Sequence, residues 1–127
     1  MATLRRTSWK HPDKITTRFR SLIEGAEADC GVYLPTMSDW RNPATFKDAG
    51  AAPTSRHYYG EAVDKDIPYK GHGTSVGLLI TALIRRATVM AILNELEIEI
   101  VASERDSHLH IALDPSQENI AIFAAAD

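Results

Sequence analysis

The chain has 127 residues, of which 44% are hydrophobic and 24% are charged, and its net charge at pH 7 is −3. This length fits one compact domain, and the slightly acidic balance excludes nucleic acid as the main partner, because phosphate binding normally requires a basic excess. The single cysteine, Cys30, excludes an intramolecular disulfide and a zinc cluster built from several thiolates.

The N-terminal part of the chain is basic. Six lysines and arginines fall within the first twenty residues, where Asp13 is the only acid. We expect residues 1–12 to be a flexible basic tail, either solvated or attracted to an anionic surface such as a cell wall. No apolar segment of the signal-peptide type follows, which indicates synthesis in the cytoplasm and delivery to any other place by another route. The longest apolar run, Val76 to Ile84, is shorter than the ~20 residues of a membrane span.

The first predicted element is an amphipathic helix over residues 13–30, with Pro12 near its start and Gly31 after its end. Apolar residues recur along it at helical spacing, namely Ile15, Phe19, Leu22, Ile23, Ala26 and Cys30. A short β-rich stretch follows from Val32 to Thr36. Residues 37–54 contain prolines, glycine and small side chains, and are therefore predicted to be a loop.

The remaining pattern predicts four further strands and a second helix. Glu61–Ile67 is expected to be a strand, and an apolar helical pattern begins at Val76 and ends near Asn94. Leu96–Ala102 and His108–Leu113 alternate as the two strands of a hairpin do, and Ile120–Phe123 is expected to add a last strand. This order predicts a single α+β domain across the whole chain, with a small, mostly antiparallel sheet and helices packed on one side.

Two histidines of the predicted hairpin are candidates for metal binding or acid–base chemistry. Side chains alternate between the faces of a strand, so His108 and His110 point the same way, while their aliphatic neighbours point to the other face. An H-x-H pair is weak evidence by itself, because such pairs are often ordinary surface residues.

Residues 55–64, with the sequence SRHYYGEAVD, supply two further side chains of types that bind zinc, His57 and Asp64. Gly60 lies between them and allows a turn or a close backbone approach. Taken separately, these are a loop histidine and a salt-bridge partner. Together with His110 they form a set of three protein ligands that leaves the fourth position open for water, which is typical of catalytic zinc.

The string Ser55-x-His57-x-x-Gly60-x-Ala62-x-Asp64 resembles the first zinc motif of the D-alanyl-D-alanine carboxypeptidase and endolysin family of metallopeptidases. The signalling domain of hedgehog proteins is a zinc-containing relative in that family. The segment ERDSHLHIAL, residues 104–113, is similar to the closing motif, whose last histidine is the third ligand. The resemblance implies a hedgehog-like or DD-peptidase-like fold, and one zinc ion held by His57, Asp64 and His110.

The same resemblance implies catalytic roles beside the metal. Glu104 matches a glutamate of the hedgehog form and is expected to be the general base, while His108 is expected to hydrogen-bond the developing oxyanion. In many peptidases of the family the base lies three residues before the last ligand, where this chain has Ser107. Asp106 is therefore a second candidate for the base. Both carboxylates could instead be solvated turn residues.

A further segment favours an enzyme over a binding domain. Many peptidases of the family carry a GYR-like segment before the first zinc motif, and its arginine binds a carboxylate of the substrate. Residues 36–41, TMSDWR, resemble that segment, which implies that Arg41 clamps such a carboxylate in a bidentate manner. Hedgehog domains lack this arginine. A surface ion pair is the alternative role for Arg41.

The resemblance thus implies a zinc metallopeptidase that hydrolyses peptidoglycan, as a DD-carboxypeptidase or as an endopeptidase of the L-Ala-D-Glu type. Its partner is expected to be a stem peptide or another peptide that contains D-amino acids, and a small stand-alone domain suits a phage lysis enzyme or virion component. The alternatives are a non-catalytic, hedgehog-like binding domain and a zinc-dependent amidohydrolase of a soluble dipeptide. Loops 42–54 and 68–74 are expected to decide which bond is cut.

Other polar residues are not assigned to the site. Glu95, Glu97 and Glu99 are interpreted as a solvated helix end and strand face rather than a second metal site. His72 lies between two glycines, and His11 precedes a proline; both are expected to be exposed.

Overall fold

A computed structural model describes residues 4–44, 55–67 and 73–126, and it confirms the α+β class. The described residues include two helices and five strands with complete bounds. In chain order they are α1 (Thr17–Cys30), β1 (Thr36–Ser38), β2 (Ala62–Asp66), α2 (Gly73–Val89), β3 (Leu96–Ala102), β4 (His108–Leu113) and β5 (Ala121–Ala126). Short 3-10 turns occur at Pro12–Lys14, Arg56–Tyr59 and Leu93–Glu95.

The five strands form one sheet in the order β1-β2-β4-β3-β5. The pairs β1–β2, β2–β4 and β3–β4 are antiparallel, and β3–β5 is parallel. The predicted hairpin is confirmed with the bounds expected for both strands. The last strand runs to Ala126 rather than ending at Phe123, because its backbone pairs with β3 from Glu97 to Ala102.

One face of the sheet is covered by both helices, as predicted. The core contains alternate residues of the three central strands, which are Val63, Leu96, Ile98, Leu109, Ile111 and Leu113. The helices contribute Phe19, Leu22, Ile23 and Ala26 from α1, and Val76, Leu79, Ala82, Leu83 and Ala87 from α2. Each large side chain buried there stabilises the fold by roughly 1.5–3 kcal/mol. Because strand side chains alternate, the polar residues between these positions lie on the other face of the sheet.

Helix α1 begins later than predicted because the chain makes a separate turn first. Pro12–Lys14 is a 3-10 turn, and Thr16 then caps α1, its hydroxyl accepting a hydrogen bond from the Phe19 amide. The helix ends at Cys30, as predicted. Gly31 follows as its C-terminal cap, with a left-handed φ of 71°. Helix α2 ends at Val89, five residues before the predicted Asn94, and Ala91 then adopts a φ of 61°.

Strand β1 lies further along the chain than the predicted stretch Val32–Thr36. The Leu34 backbone, two residues before β1, is held by two side chains. The Leu34 amide donates to the Glu27 carboxylate over 2.9 Å, and the Lys65 ammonium donates to the Leu34 carbonyl over 3.2 Å. Lys65 and Glu27 are both fully buried, with Nζ 3.4 Å from Oε1. These contacts satisfy both backbone groups of Leu34, and the Pro35 carbonyl accepts from the Asp66 amide of β2.

The N-terminal segment contacts the domain from Ser8 onward, although residues 1–12 were expected to be flexible; residues 1–3 lie outside the described part of the chain. The Trp9 ring lies 6.3 Å from the Phe19 ring, and its indole nitrogen donates to Glu24. The Lys10 amide donates to the Asp39 carboxylate. Because these contacts are made with the core residue Phe19 and with Asp39, part of this basic region belongs to the folded domain.

Glu61 links the start of α1 to the turn that precedes β2. Its carboxylate accepts hydrogen bonds from the Thr16 hydroxyl at 2.8 Å, from Arg18 at 2.6 Å and from Arg56 at 2.8 Å. Burial alone would raise the pKa of Glu61, but the hydrogen bonds from Arg18 and Thr16 outweigh burial and hold that pKa below its usual value. Glu61 is thus an ionised carboxylate inside the fold.

Among the described residues, no helix is long and apolar enough to cross a membrane.

Candidate metal centre

Three side chains meet on the sheet face opposite the helices. Asp64 of β2 lies directly opposite His110 of β4, and His110 Nδ1 is 2.8 Å from Asp64 Oδ1. His57 comes from the Arg56–Tyr59 turn, with Nε2 3.4 Å from Asp64 Oδ2. One ligand atom from each of the three lies within 4.8 Å of the others, so the group could hold a metal ion. The structure therefore brings together the three residues predicted as ligands.

The turn that carries His57 is fixed at both ends. At its start, the Ser55 hydroxyl accepts a hydrogen bond from the His57 amide. At its end, Gly60 has a φ of 68°, and a Cβ there would lie 1.9 Å from the Lys14 carbonyl oxygen. Both the left-handed backbone and the close approach require glycine. Gly60 thus provides both the turn and the close backbone approach that the sequence allowed.

The orientation of the His57 ring is set by a main-chain acceptor. His57 is 3% exposed, and its Nδ1 lies 2.5 Å from the Asp39 carbonyl oxygen. A carbonyl only accepts, so Nδ1 carries a proton and Nε2 is the nitrogen that faces Asp64. This arrangement of a second hydrogen bond behind a histidine is common for metal ligands.

Asp39 is part of the site's support, although no sequence motif singled it out. Its carboxylate accepts from the backbone amides of Lys10, His11 and Trp40, and it pairs with the His11 ring at 2.8 Å. Burial alone would raise the Asp39 pKa, but these hydrogen bonds outweigh burial and lower it. Asp39 thereby fixes the carbonyl that orients His57.

The electrostatics of the three candidate ligands are dominated by their mutual contacts. Burial alone would raise the pKa of Asp64, but the hydrogen bonds from His110 and His57 outweigh it and hold the pKa well below its usual value. Burial alone would lower the pKa of His110, but its bonds to Asp64 and Glu97 outweigh that and raise the pKa to about 9. Asp64 is therefore a carboxylate at neutral pH, as metal binding requires.

A cavity of about 470 Å³ surrounds the three residues and places several predicted residues beside them. Its walls include Met37, Ser38, Arg41, Ser55, Glu97, Glu99, Asp106 and His108. This volume is within the range of small-molecule and cofactor sites.

Arg41 lies in this cavity and contacts a candidate ligand. Its Nη2 is 3.1 Å from Asp64 Oδ2, and its Nε donates to the Ser38 hydroxyl over 3.1 Å. The side chain is 27% exposed. The ion pair of Arg41 is thus with Asp64 inside the cavity, and the predicted clamp on a substrate carboxylate stays a prediction.

The two candidates for the general base occupy different places. Asp106 lines the cavity, and its Oδ1 is 3.0 Å from Nδ1 of His108, which lines it too. Glu104 is exposed in the connection between β3 and β4 and is not among the residues that line the cavity. Ser107 stabilises that connection, since its hydroxyl donates to the Ser103 carbonyl over 2.6 Å.

Glu97 and Glu99 lie partly exposed on the predicted strand face, and both line the cavity. Glu99 lies opposite His110 in the sheet, and Glu97 Oε1 is 3.3 Å from His110 Nε2. Glu95, in contrast, pairs with Arg18 at 2.7 Å. The signal was present in the sequence, because the alternation of β3 and its hairpin pairing with β4 place these glutamates on the histidine face.

The cross-strand register gives the site a continuous row of side chains. Ser38, Asp64, His110, Glu99 and Phe123 lie opposite one another on successive strands. The row begins at the cavity wall near Arg41 and ends at an aromatic ring that is 45% exposed. The row therefore contains a hydroxyl, two candidate metal ligands, a carboxylate and an aromatic ring in that order.

Some residues considered from the sequence lie elsewhere. His11 is at the surface, with its side chain 48% exposed, and His72 lies outside the described residues, as do most of loops 42–54 and 68–74. Comparison of the chain with family models, curated proteins and solved structures found no match. The chemistry proposed below is argued from the cavity and from the two motifs.

Proposed function

We propose that this protein is a zinc-dependent peptidase that hydrolyses peptide bonds of bacterial peptidoglycan. The observation that carries the proposal is the convergence of His57, Asp64 and His110 inside an open cavity. Two imidazoles and one carboxylate suit zinc better than magnesium or calcium, which prefer oxygen ligands. Three protein ligands leave a coordination position for water or substrate.

The donor set fits a zinc ion in its side-chain types and positions, and bound zinc would displace the proton that His110 carries while its pKa is about 9. His57 presents the lone pair of Nε2, because Nδ1 is committed to the Asp39 carbonyl. Asp64 is ionised and presents two oxygens, one toward each histidine. When bound, zinc would polarise the scissile carbonyl and lower the pKa of a water molecule.

The other residues of the cavity have separate tasks in this proposal. Asp106, positioned by its contact with His108, accepts a proton from the attacking water and returns it to the leaving amine. His108 hydrogen-bonds the developing oxyanion, and Arg41 orients a substrate carboxylate. Glu104 is the base that the closing motif favours. Its position outside the cavity lining favours Asp106 instead.

The choice of peptidoglycan as substrate is supported by the two sequence motifs. Asp64 and His110, one from each motif, are 46 positions apart in the chain, and the direct pairing of β2 with β4 brings them together. A stem peptide offers the carboxylates and amide bonds that Arg41 and the metal centre are suited to bind. The cavity also presents Glu97 and Glu99, which suit a cationic group on the same peptide.

The decisive experiment is digestion of purified peptidoglycan by the zinc-loaded protein, with new termini identified by mass spectrometry. We expect new amino or carboxyl termini within the stem peptide, and none after zinc is removed with a chelator. Zinc added back should restore cleavage. Full cleavage by chelated protein, or no cleavage by protein carrying one zinc ion, would refute the proposal.

One observation favours a second candidate, a hedgehog-like zinc domain that binds a ligand without hydrolysis. The position of the base in many related peptidases is occupied by Ser107, whose hydroxyl is bonded to the Ser103 backbone and is not available to a substrate. Zinc binding without cleavage of any peptidoglycan fragment would support this candidate.

A further inference from the structure

The two candidate histidine ligands are restrained by different kinds of group. His57 is almost completely buried, and a main-chain carbonyl fixes its Nδ1. The His110 side chain is 19% exposed on the open face of the sheet. Among the described residues, the partner of its Nε2 is the side chain of Glu97, at 3.3 Å. A side-chain substitution can therefore release His110 but cannot remove the acceptor of His57.

The sheet register explains how Glu97 reaches this ring. Glu99 is the residue directly opposite His110, whereas Glu97 lies opposite Ala112. The Ala112 side chain is small, so the Glu97 side chain can extend diagonally toward His110. Long side chains can span the distance between diagonal neighbours in an antiparallel sheet. Both glutamates line the cavity, but the ion-pair contact to the ring is made by Glu97.

We propose that Glu97 is a positioning residue that holds the His110 ring for metal binding. A carboxylate only accepts hydrogen bonds, so Glu97 keeps a proton on Nε2 and leaves the lone pair of the neutral ring on Nδ1. Nδ1 is the nitrogen that lies 2.8 Å from Asp64 and therefore faces the centre of the three ligands. This inference rests on the metal centre of the proposed function and adds a residue that neither motif contains.

Three variants test the proposal, with binding measured in the absence of any substrate. Glu97→Ala removes the acceptor, Glu97→Gln keeps an acceptor oxygen without the charge, and Glu99→Ala is the matched control on the same strand and face. The zinc dissociation constant is measured by competition with a chromogenic chelator. The visible absorption of Co²⁺-loaded protein reports the ligand geometry, and thermal unfolding of metal-free protein reports the fold.

We expect Glu97→Ala to raise the zinc dissociation constant about 10- to 100-fold, the usual effect of removing such a supporting partner. Glu97→Gln should lie closer to the wild type, and Glu99→Ala should equal it. The Co²⁺ spectrum should change in Glu97→Ala alone, with the unfolding temperature of the metal-free protein preserved. Equal zinc affinities for Glu97→Ala and Glu99→Ala would overturn the proposal. Failure to cleave peptidoglycan with zinc bound would instead refute the proposed function and leave this comparison intact.

Discussion

Asp64 and His110 are 46 positions apart in the chain and directly opposite each other in the sheet, with Oδ1 and Nδ1 2.8 Å apart. The pairing of β2 with β4 places both side chains on the face that the helices leave open. A ligand pair on two hydrogen-bonded strands is more rigid than a pair on two loops, which favours a defined coordination geometry. His57 completes the set from a turn held by Gly60 and Ser55.

The first prediction concerns metal content. Protein purified without chelator should contain one zinc ion per chain by elemental analysis, and alanine in place of His57, Asp64 or His110 should remove it. Asp29→Ala changes an exposed carboxylate on α1 and should retain the metal. Free zinc at 100 times its dissociation constant should stabilise the wild type by about 2.7 kcal/mol in thermal unfolding. Folded wild-type protein that cannot be loaded with zinc would contradict the metal centre.

The second prediction separates the two candidate bases. Asp106 lines the cavity beside His108, so Asp106→Ala should retain zinc and lower kcat by roughly 10²–10⁴-fold, the usual contribution of a general base. Glu104→Ala should retain most activity. The opposite result, an inactive Glu104→Ala beside an active Asp106→Ala, would assign the base to the residue that the closing motif favours.

The third prediction tests Arg41 as a carboxylate clamp. Lysine keeps the charge but not the planar fork, so Arg41→Lys should lower kcat/KM about ten- to a hundredfold, equivalent to roughly 1.5–3 kcal/mol of transition-state binding. Zinc content should be unchanged. Kinetics on a stem-peptide fragment with a free carboxylate, compared with its amide, provide the measurement. Equal rates on the two fragments together with an unimpaired Arg41→Lys would exclude the clamp.

The fourth prediction concerns the acid sensitivity of the fold. Glu61→Gln weakens bonds to Thr16, Arg18 and Arg56, and should lower the free energy of unfolding at pH 7 by about 1.5–3 kcal/mol. The pKa of Glu61 is lowered in the folded state, so its ionised form stabilises the fold above the unfolded pKa, and this contribution is lost as the pH falls through the folded value. Urea unfolding of both proteins should therefore give a difference that shrinks below about pH 4. A difference independent of pH would contradict this account.

The fifth prediction concerns the buried pair of Lys65 and Glu27. Lys65→Met should destabilise the fold by about 3–5 kcal/mol, because it leaves the Glu27 carboxylate buried without its cationic partner. Adding Glu27→Leu should recover part of that loss in denaturant unfolding. A double variant that is less stable than Lys65→Met would show that the Glu27 bond to the Leu34 amide matters more than the ion pair.

The sequence was sufficient for elements whose pattern is strict and local. Strands β3 and β4 have the predicted bounds, since apolar and polar residues alternate without interruption in both. The predicted start of β1 was wrong because the Lys65 and Glu27 side chains, distant in sequence, satisfy the backbone at Leu34. The parallel pairing of β5 with β3 could not be predicted, since no local pattern specifies which edge a last strand joins.

The candidate site was predictable only in part, for a related reason. His57, Asp64 and His110 belong to motifs with fixed spacing. Glu97 was interpreted as part of a solvated strand face, because alternation and hairpin pairing place it on the histidine face but do not show which ring it contacts. Asp39 supports His57 through its backbone carbonyl, which any residue type could supply, so the sequence had no signal for that contact.

The contacts between residues 39–41 and His57 have a consequence for how this protein can diversify. The His57 ring donates to the Asp39 carbonyl, and the Arg41 amide donates to the His57 carbonyl. Two hydrogen bonds therefore join residues 39–41 to His57. Doubling the number of residues that connect two such anchored points costs only about 0.6 kcal/mol of loop entropy. Changes in the length of the sequence between Arg41 and Ser55 should therefore leave the three candidate ligands in their places.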